Sequence, residues 1–309
     1  MPNRSATEHQ ACHEKPLGVF PLQIWWPYAL GIVGMHLLAL LAFWPWLFSW
    51  TGVASVLVGH YLFGMLGMTV GYHRLLTHRS FQCPAWLEYT FAVLGVCCLQ
   101  DTPVRWVATH RHHHQHSDQQ ADPHSPLVNF TWGQMGWLMV KNRDVGHVAH
   151  VDRYARDLIR DPFYRWLERK QNGLIIFLLH VLVIFLLGAG IGAITGGREE
   201  AWRMGLSLLV WGVAVRTVVV WHVTWAVNSL THLWGYRTYS TSDNSRNNWL
   251  VGLLAHGEGW HNNHHALPTA AAHGRAWWEV DFSYRLICSL EYVGLAWNVL
   301  RPEKKSAPK

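Results

Sequence analysis

Nine histidines recur at short intervals: His73 and His78; His110, His113 and His114; His232; and His261, His264 and His265. Residues three or four apart in an α-helix share a face, so His110, His113 and His114 can converge, and so can His261, His264 and His265. Neutral imidazole is a common ligand for first-row transition metals, and two His-x-x-His-His clusters in one chain mark a metal site. Four donors complete a tetrahedral zinc site, whereas nine suit two adjacent metals of higher coordination number. The chain has 22 histidines. Those in apolar stretches, including His36, His60, His180 and His222, read as hydrogen-bonded structural residues. His112 and His116 lie inside the second cluster but off its repeat.

The elements that must position these side chains are apolar. Residues 25–50 contain no Lys, Arg, Asp or Glu, nor do residues 52–72, and 174–195 form a third such block. A fourth, 202–227, carries Arg203 and Arg216 and is otherwise apolar. Each can cross a hydrocarbon layer about 30 Å thick. Residues 86–99 are shorter and hold Glu88, so they read as an interfacial or protein-buried helix. Outer turns are expected near residues 50–52 and at Gly196-Gly197. Further helices are expected near 101–116, 131–141 and 161–170. The fold class is therefore an all-α membrane protein with four transmembrane helices and a cytosolic helical cap, residues 73–173 and 228–309, that holds the histidine-rich site. Residues 1–24, including Cys12-His13, read as a flexible cytosolic tail, and 25–309 as one domain.

Charge orients the chain. Of 25 Lys and Arg, 22 fall in the tail, in 73–173 and in 225–309, which share one side if the spans number four. The positive-inside rule makes that side cytoplasmic, with both termini and all the histidine clusters on it. The expected location is a bacterial inner membrane. The net charge of +6 suits anionic headgroups; scattered basic residues without a recognisable binding fold argue against nucleic acid. The five cysteines form no Cys-x-x-Cys pair, so neither a disulfide framework nor a thiolate cluster is expected. Arg216, deep in the fourth block, should face protein or a polar cavity. Gly64, Gly67 and Gly71 suit close helix packing.

Three motifs then carry a resemblance. His73-Arg-Leu-Leu-Thr-His78, His110-Arg-His-His113-His114 and Glu258-Gly-Trp-His261-Asn-Asn-His264-His265 resemble the histidine boxes of membrane fatty-acid desaturases of the Δ9, stearoyl-CoA desaturase-like type. Asp122-Pro-His124, Asn228-Ser-Leu-Thr-His232 and Gly235-Tyr-Arg237 match as well, so the likeness runs over almost the whole chain. It implies a non-haem di-iron centre at the membrane surface, with all nine histidines as ligands and Asn228 acting through a water. It further implies dioxygen as co-substrate and a saturated acyl chain that receives a cis double bond, expected at Δ9. No haem domain or cysteine cluster is evident, so a separate donor, cytochrome b5-like or ferredoxin-like, is expected.

Trp106 and Trp260 flank histidine clusters and, with Trp137 and Lys141, are the candidate substrate contacts. Animal acyl-CoA desaturases carry Arg-Asp just before the second box, where this chain has Ala108-Thr109. The run from Trp106 to His114 is more similar to the bacterial and cyanobacterial branch, some of whose members act on glycerolipids. The acyl carrier, CoA or glycerolipid, stays open on these residues. The alternatives are a histidine-box hydroxylase or ketolase, which would insert oxygen, and a metal transporter, which would want ionisable residues spread through the spans.

Overall fold

The computed structural model describes residues 13–169 and 171–302. Their regular structure is helical; among them no strand forms, only isolated bridges such as Gln82 with Trp297. Three helices are long and apolar enough to cross a membrane, over Trp26–Phe43, Trp50–Thr77 and Asn172–Leu233. We label the helices α1 (Trp26–Leu40), α2 (Trp50–Thr77), α3 (Ala85–Val96), α4 (Pro103–His116), α5 (Phe130–Gln134), α6 (Val148–Tyr154), α7 (Asn172–Leu233), α8 (Trp249–Leu254), α9 (His261–Ala266) and α10 (Phe282–Tyr292).

The turn between α1 and α2 comes earlier in the chain than expected. Two short 3-10 turns, Leu41–Phe43 and Pro45–Leu47, end the first helix. Ser49 caps the second, its Oγ accepting from Gly52 N at 2.9 Å. Proline cannot continue a helix and serine satisfies an orphan N–H, so the turn occupies 41–49 and residues 50–52 already belong to α2.

Helix α7 breaks where the glycine pair stands. Gly196 has φ −155°, ψ 15°, and Gly197 has φ 74°, ψ −155°, the latter a backbone conformation that suits glycine. The chain then folds back on itself so closely that a Cβ on Gly188 would lie 2.6 Å from Met204 O.

The C-terminal part of α2 is wound wide. Residues His60–Thr77 are π-helical, and His78 N donates to His73 O, five residues back, at 3.1 Å. In an α-helix two residues five apart differ by about 140°; the wider π winding brings them toward one face. His73 and His78 therefore point the same way. Helix α3 packs onto this segment through the small residues noted in the sequence. A Cβ on Gly67 would come within 2.6 Å of Leu94 C, and one on Gly71 within 2.9 Å of the Phe91 Cβ. Gly64 faces a cavity instead, beside His60 and Val220.

The loop after α3 is pinned by the second half of α7. Arg216 is wholly buried; its Nη1 donates to Cys97 O at 2.9 Å, Nε donates to Gly212 O at 3.1 Å, and Nη2 meets His180 Nε2 at 3.0 Å. Trp221 Nε1 donates to Cys98 O at 2.7 Å. His36 and His222 also pair within the apolar region, at 3.0 Å. These histidines have the structural role expected of them.

Two short segments differ from their outlines in the sequence. The helix expected over 131–141 divides into α5 and a 3-10 turn, Gly136–Met139, because Met135 is non-helical at φ −155°. Residues 17–24, outlined as part of a tail, contain a turn at Leu17–Val19 and pair with this region: Lys141 N donates to Gln23 O and Arg143 N to Gly18 O, both at 2.9 Å. Cys12 lies outside the described residues.

The contact at Gly67 is tight enough to test. Gly67→Ala should lower stability by about 1–3 kcal/mol through overpacking, seen as a fall in the thermal unfolding midpoint in detergent. An unchanged midpoint would mean that α2 and α3 stand further apart than described.

Candidate metal centre

Helices α2, α4, α7 and α9 deliver the nine histidines to one place in two sets. Donor atoms of His73, His78, His110, His114 and His264 lie within 4.8 Å of one another, as do those of His113, His232, His261 and His265. Each His-x-x-His-His cluster divides between the sets, because residues three and four apart on a helix diverge slightly: α4 sends His110 and His114 to the first set and His113 to the second. Helix α9 sends His264 to the first, and His261 and His265 to the second. His112, off the repeat, turns away from both sets to the buried His150, with Nδ1 and Nε2 3.2 Å apart.

Carboxylates hold four of the rings from behind. Nδ1 lies 2.7 Å from Glu258 in His73, 2.9 Å from Asp122 in His113, 2.8 Å from Asp118 in His232 and 2.6 Å from Asp243 in His265. Burial pushes the Asp243 carboxyl up, but the His265 imidazole beside it more than offsets this, and it stays ionised well below the usual range. Asp122 is likewise lowered, by His113 and His124 against its burial. Burial, followed by the neighbouring imidazoles, pushes the His110, His114, His261 and His264 rings well below their usual value, so they are neutral.

This arrangement asks for cations. A neutral ring that donates Nδ1–H to a carboxylate presents a bare lone pair at Nε2. His73 Nε2 lies 3.1 Å from His78 Nε2 and 3.2 Å from His264 Nε2. His261 Nε2 lies 3.1 Å from His232 Nε2 and 3.0 Å from His265 Nε2. One N–H on His261 can satisfy one of these neighbours, and His113 Nε2 has no hydrogen-bond partner at all. Imidazole nitrogens sit roughly 2.1 Å from a first-row metal ion, which places two at right angles about 3.0 Å apart. The spacing and donor set fit two metal ions, one to each set.

Two cavities meet beside the histidines. The first runs from Trp25, Tyr28 and Ile32 past Leu99, Trp137 and Trp225 to His110 and Asn228. The second runs from Trp106, His110 and Asn228 past Gly64 and Val220 to His60 and His256. Trp106, His110, Thr224 and Asn228 line both, and Gln100 Nε2 donates to Thr224 Oγ1 at 3.0 Å where they join. Trp106 lines both cavities and Trp137 the first. Lys141 instead exposes its side chain, while its neighbours Val140 and Asn142 line the first cavity. Trp260 is a correction: it is fully buried, donates Nε1–H to Val280 O at 2.9 Å and packs on Trp278. It stands next to His261 in sequence but at the start of α9, pointing into the packing beneath.

Sequence reasoning missed most of the supporting residues. Glu258 and Asp122 stand within the motifs, and Asp118 and Asp243 outside them. Asp118 bonds a ring 114 positions away, so no local spacing reveals it; the available signal was that metal-bound histidines need a carboxylate or carbonyl on the other nitrogen. Arg74 was missed too. Wholly buried, it donates to Glu258 at 3.0 Å and lies 2.9 Å from Asp281, and His273 Nδ1 lies 3.0 Å from Glu258.

The fold and site define a helical membrane protein built around histidine clusters whose spacing fits metal ions. The family model described as fatty acid desaturase matches residues 44–287, and the chain belongs to the fatty acid desaturase family. It is an oxidoreductase that desaturates acyl chains. The chain is 44% identical to an sn-1 stearoyl-lipid 9-desaturase of Anabaena variabilis, over 92% of this chain and 96% of that one. It is 40% identical to an sn-2 palmitoyl-lipid 9-desaturase of Nostoc sp. (strain 36), over 92% and 93%. An acyl-CoA C20 Delta5-desaturase of Anemone leveillei is 39% identical over 90% and 82%.

The carboxylates behind the rings separate this site from a chance gathering of histidines. Asp118→Asn should weaken metal retention by about 10–100-fold, measured as metal content after graded chelator treatment. His112→Gln should retain metal as the parent does. If the two variants lose metal equally, the carboxylate does not support the site.

Proposed function

We propose that this chain is a di-iron acyl-lipid desaturase that places a cis double bond at Δ9 in a saturated chain esterified to a glycerolipid. The observation that carries the metal assignment is the division of nine imidazoles into sets of five and four, with Nε2 atoms facing one another. All nine are proposed as ligands, with Asn228, at the junction of the cavities, holding a water beside them. The glycerolipid carrier and the Δ9 position rest on the names of the two cyanobacterial relatives. The relatives give no support to a hydroxylase, a ketolase or a transporter.

Two iron ions, when bound, supply from dioxygen an oxidant strong enough to remove hydrogens from an unactivated methylene pair. The chain's own residues decide which pair. The acyl chain occupies the first cavity and bends into the second where Trp106, Thr224 and Asn228 line both. The Gln100–Thr224 hydrogen bond fixes the wall at that bend. Holding one carbon–carbon bond beside the histidines makes selectivity positional. The carboxylates Glu258, Asp118, Asp122 and Asp243 face Nδ1 of their rings and keep them oriented, so that Nε2 is the atom presented to the site.

In the membrane we propose four crossings, α7 contributing two on either side of Gly196-Gly197. The histidine cap and both termini then lie on the cytoplasmic face of a bacterial inner membrane, as the distribution of basic residues supports. Residues 25–309 form one catalytic domain. Two electrons per turnover come from a separate cytochrome b5-like or ferredoxin-like donor.

Expression with iron and a donor, followed by mass spectrometry of fatty-acid methyl esters and intact lipids, tests the reading. Products two hydrogens lighter, unsaturated at Δ9 and appearing first in glycerolipids, are expected; gain of one oxygen would make the enzyme a hydroxylase. His113→Ala should abolish the new double bonds while the protein stays in the membrane, and full activity would remove His113 from the site. Gly64→Leu, which fills the second cavity, should shift products toward shorter chains, read from the same methyl esters; an unaltered chain-length profile would place the methyl end elsewhere.

A further inference from the structure

The segment just before α1 forms a lip on the first cavity. Trp25 N donates to Met139 O at 2.8 Å, and two more backbone bonds tie Gln23 and Gly18 to Lys141 and Arg143. The side chains of Asn142 and Asp144 approach Gly18 so closely that a Cβ there would collide with them. The strap that receives the lip also lines the cavity, through Trp137, Val140 and Asn142.

The lip faces outward with the wrong chemistry for water. It buries Gly18 and Val19, yet leaves Leu17 69%, Phe20 49%, Leu22 52% and Ile24 50% exposed. Four large apolar side chains within eight residues of backbone-pinned chain mark an interaction surface. Its position says which one. Trp26 opens the first span directly after Ile24 and Trp25, so the lip stands at headgroup depth, where such rings anchor. Lys141 and Arg143, paired through their backbone with the lip, are both exposed; their long stems can lie along apolar surface while their charges reach phosphate.

We propose that residues 17–24 are seated in the headgroup–acyl boundary of an anionic glycerolipid bilayer, with Lys141 and Arg143 engaging lipid phosphates at the mouth of the first cavity. An acyl chain still esterified to its glycerolipid then enters the cavity from the bilayer without passing through water. The second statement rests on the acyl-lipid reading above; the seating of the lip does not.

The experiment uses the full chain with Cys12→Ser and Cys288→Ser, since Cys83, Cys97 and Cys98 are buried. Leu22→Cys, or Ile24→Cys if the first fails to fold, carries an NBD dye in vesicles of phosphatidylcholine and phosphatidylglycerol. Blue-shifted emission, quenched by shallow nitroxide lipids and protected from iodide, is expected; an Asp152→Cys label on the cap should behave oppositely. Iodide quenching of the lip label equal to that at Asp152 would overturn the seating. In a second arm, iron-loaded enzyme with donor acts on vesicle lipids. The rate should be higher on phosphatidylglycerol than on uncharged galactolipid, and Lys141→Glu with Arg143→Glu should remove this preference, by roughly five-fold for each basic residue lost at low salt. An undiminished preference would overturn the phosphate contact. Failure of the parent enzyme to desaturate any vesicle lipid would sink the acyl-lipid reading and lipid entry with it, while the dye still decides the seating.

Discussion

The structure depends on keeping nine lone pairs aimed at one buried place. Imidazoles left to themselves would turn to donate or accept from a neighbour, and contacts of 3.0–3.2 Å between Nε2 atoms would be repulsive wherever both are unprotonated. A cation between them makes such spacing favourable, and a partner on the far nitrogen keeps a ring turned inward. Four carboxylates supply that partner, each from a different stretch of chain from the ring it holds. Asp118 and Asp122 come from the loop after α4, Asp243 from the loop after α7, and Glu258 from the turn before α9. These loops are thus committed by the histidine site as firmly as the helices.

Burying that much charge requires compensation, and Arg74 provides it. One helical step past His73, it lies between Glu258 and Asp281 and donates to Ala271 O at 2.7 Å. A buried cation shared by two carboxylates satisfies all three groups, whereas loss of any one would strand the others. The same contacts tie α2 to the C-terminal segment, since Asp281 also caps α10 by accepting from Tyr284 N. The first histidine cluster, the third and the segment that opens α10 are therefore locked in one polar network beneath the histidine site.

What could be read from the sequence was whatever repeats locally. The groups at 110–114 and 261–265 announce themselves because three- and four-residue intervals are the geometry of a helix face. His73 and His78, five apart, do not fit that rule; they face together because α2 is π-wound there, which no apolar pattern betrays. The helix break at Gly196-Gly197 was legible because backbone chemistry is local, whereas the turn before α2 was displaced by a proline and a serine cap that hydropathy ignores. Trp260 failed because adjacency in sequence is not adjacency in space. The lip at 17–24 was hidden for the opposite reason. Eight residues are too few for a periodicity, and their partners lie more than a hundred positions downstream.

Arg216 shows how an apolar span can serve a polar site at a distance. Unlike Arg74 it meets no carboxylate; its guanidinium bonds Gly212 O, Cys97 O and His180 Nε2 and lies 4.4 Å from the centre of the Phe63 ring. A charge so placed within a span is costly unless every donor is used, and here three of its nitrogens reach acceptors. The return is a fixed loop. Cys97 and Cys98 are held by Arg216 and Trp221, and Leu99 and Asp101 take left-handed backbone conformations at φ 52° and 74°. Tyr28 Oη bonds Asp101 at 2.5 Å from the other side. Between those anchors stands Gln100, bonded to Thr224 at the bend shared by the two cavities. Thr224 lies eight residues beyond Arg216 and Asn228 twelve, so one helix presents the loop clamp, the bend and the cavity junction in succession. Because that helix is continuous from the clamp to His232, the distance between the cavity wall and the histidines is set by helical rise alone.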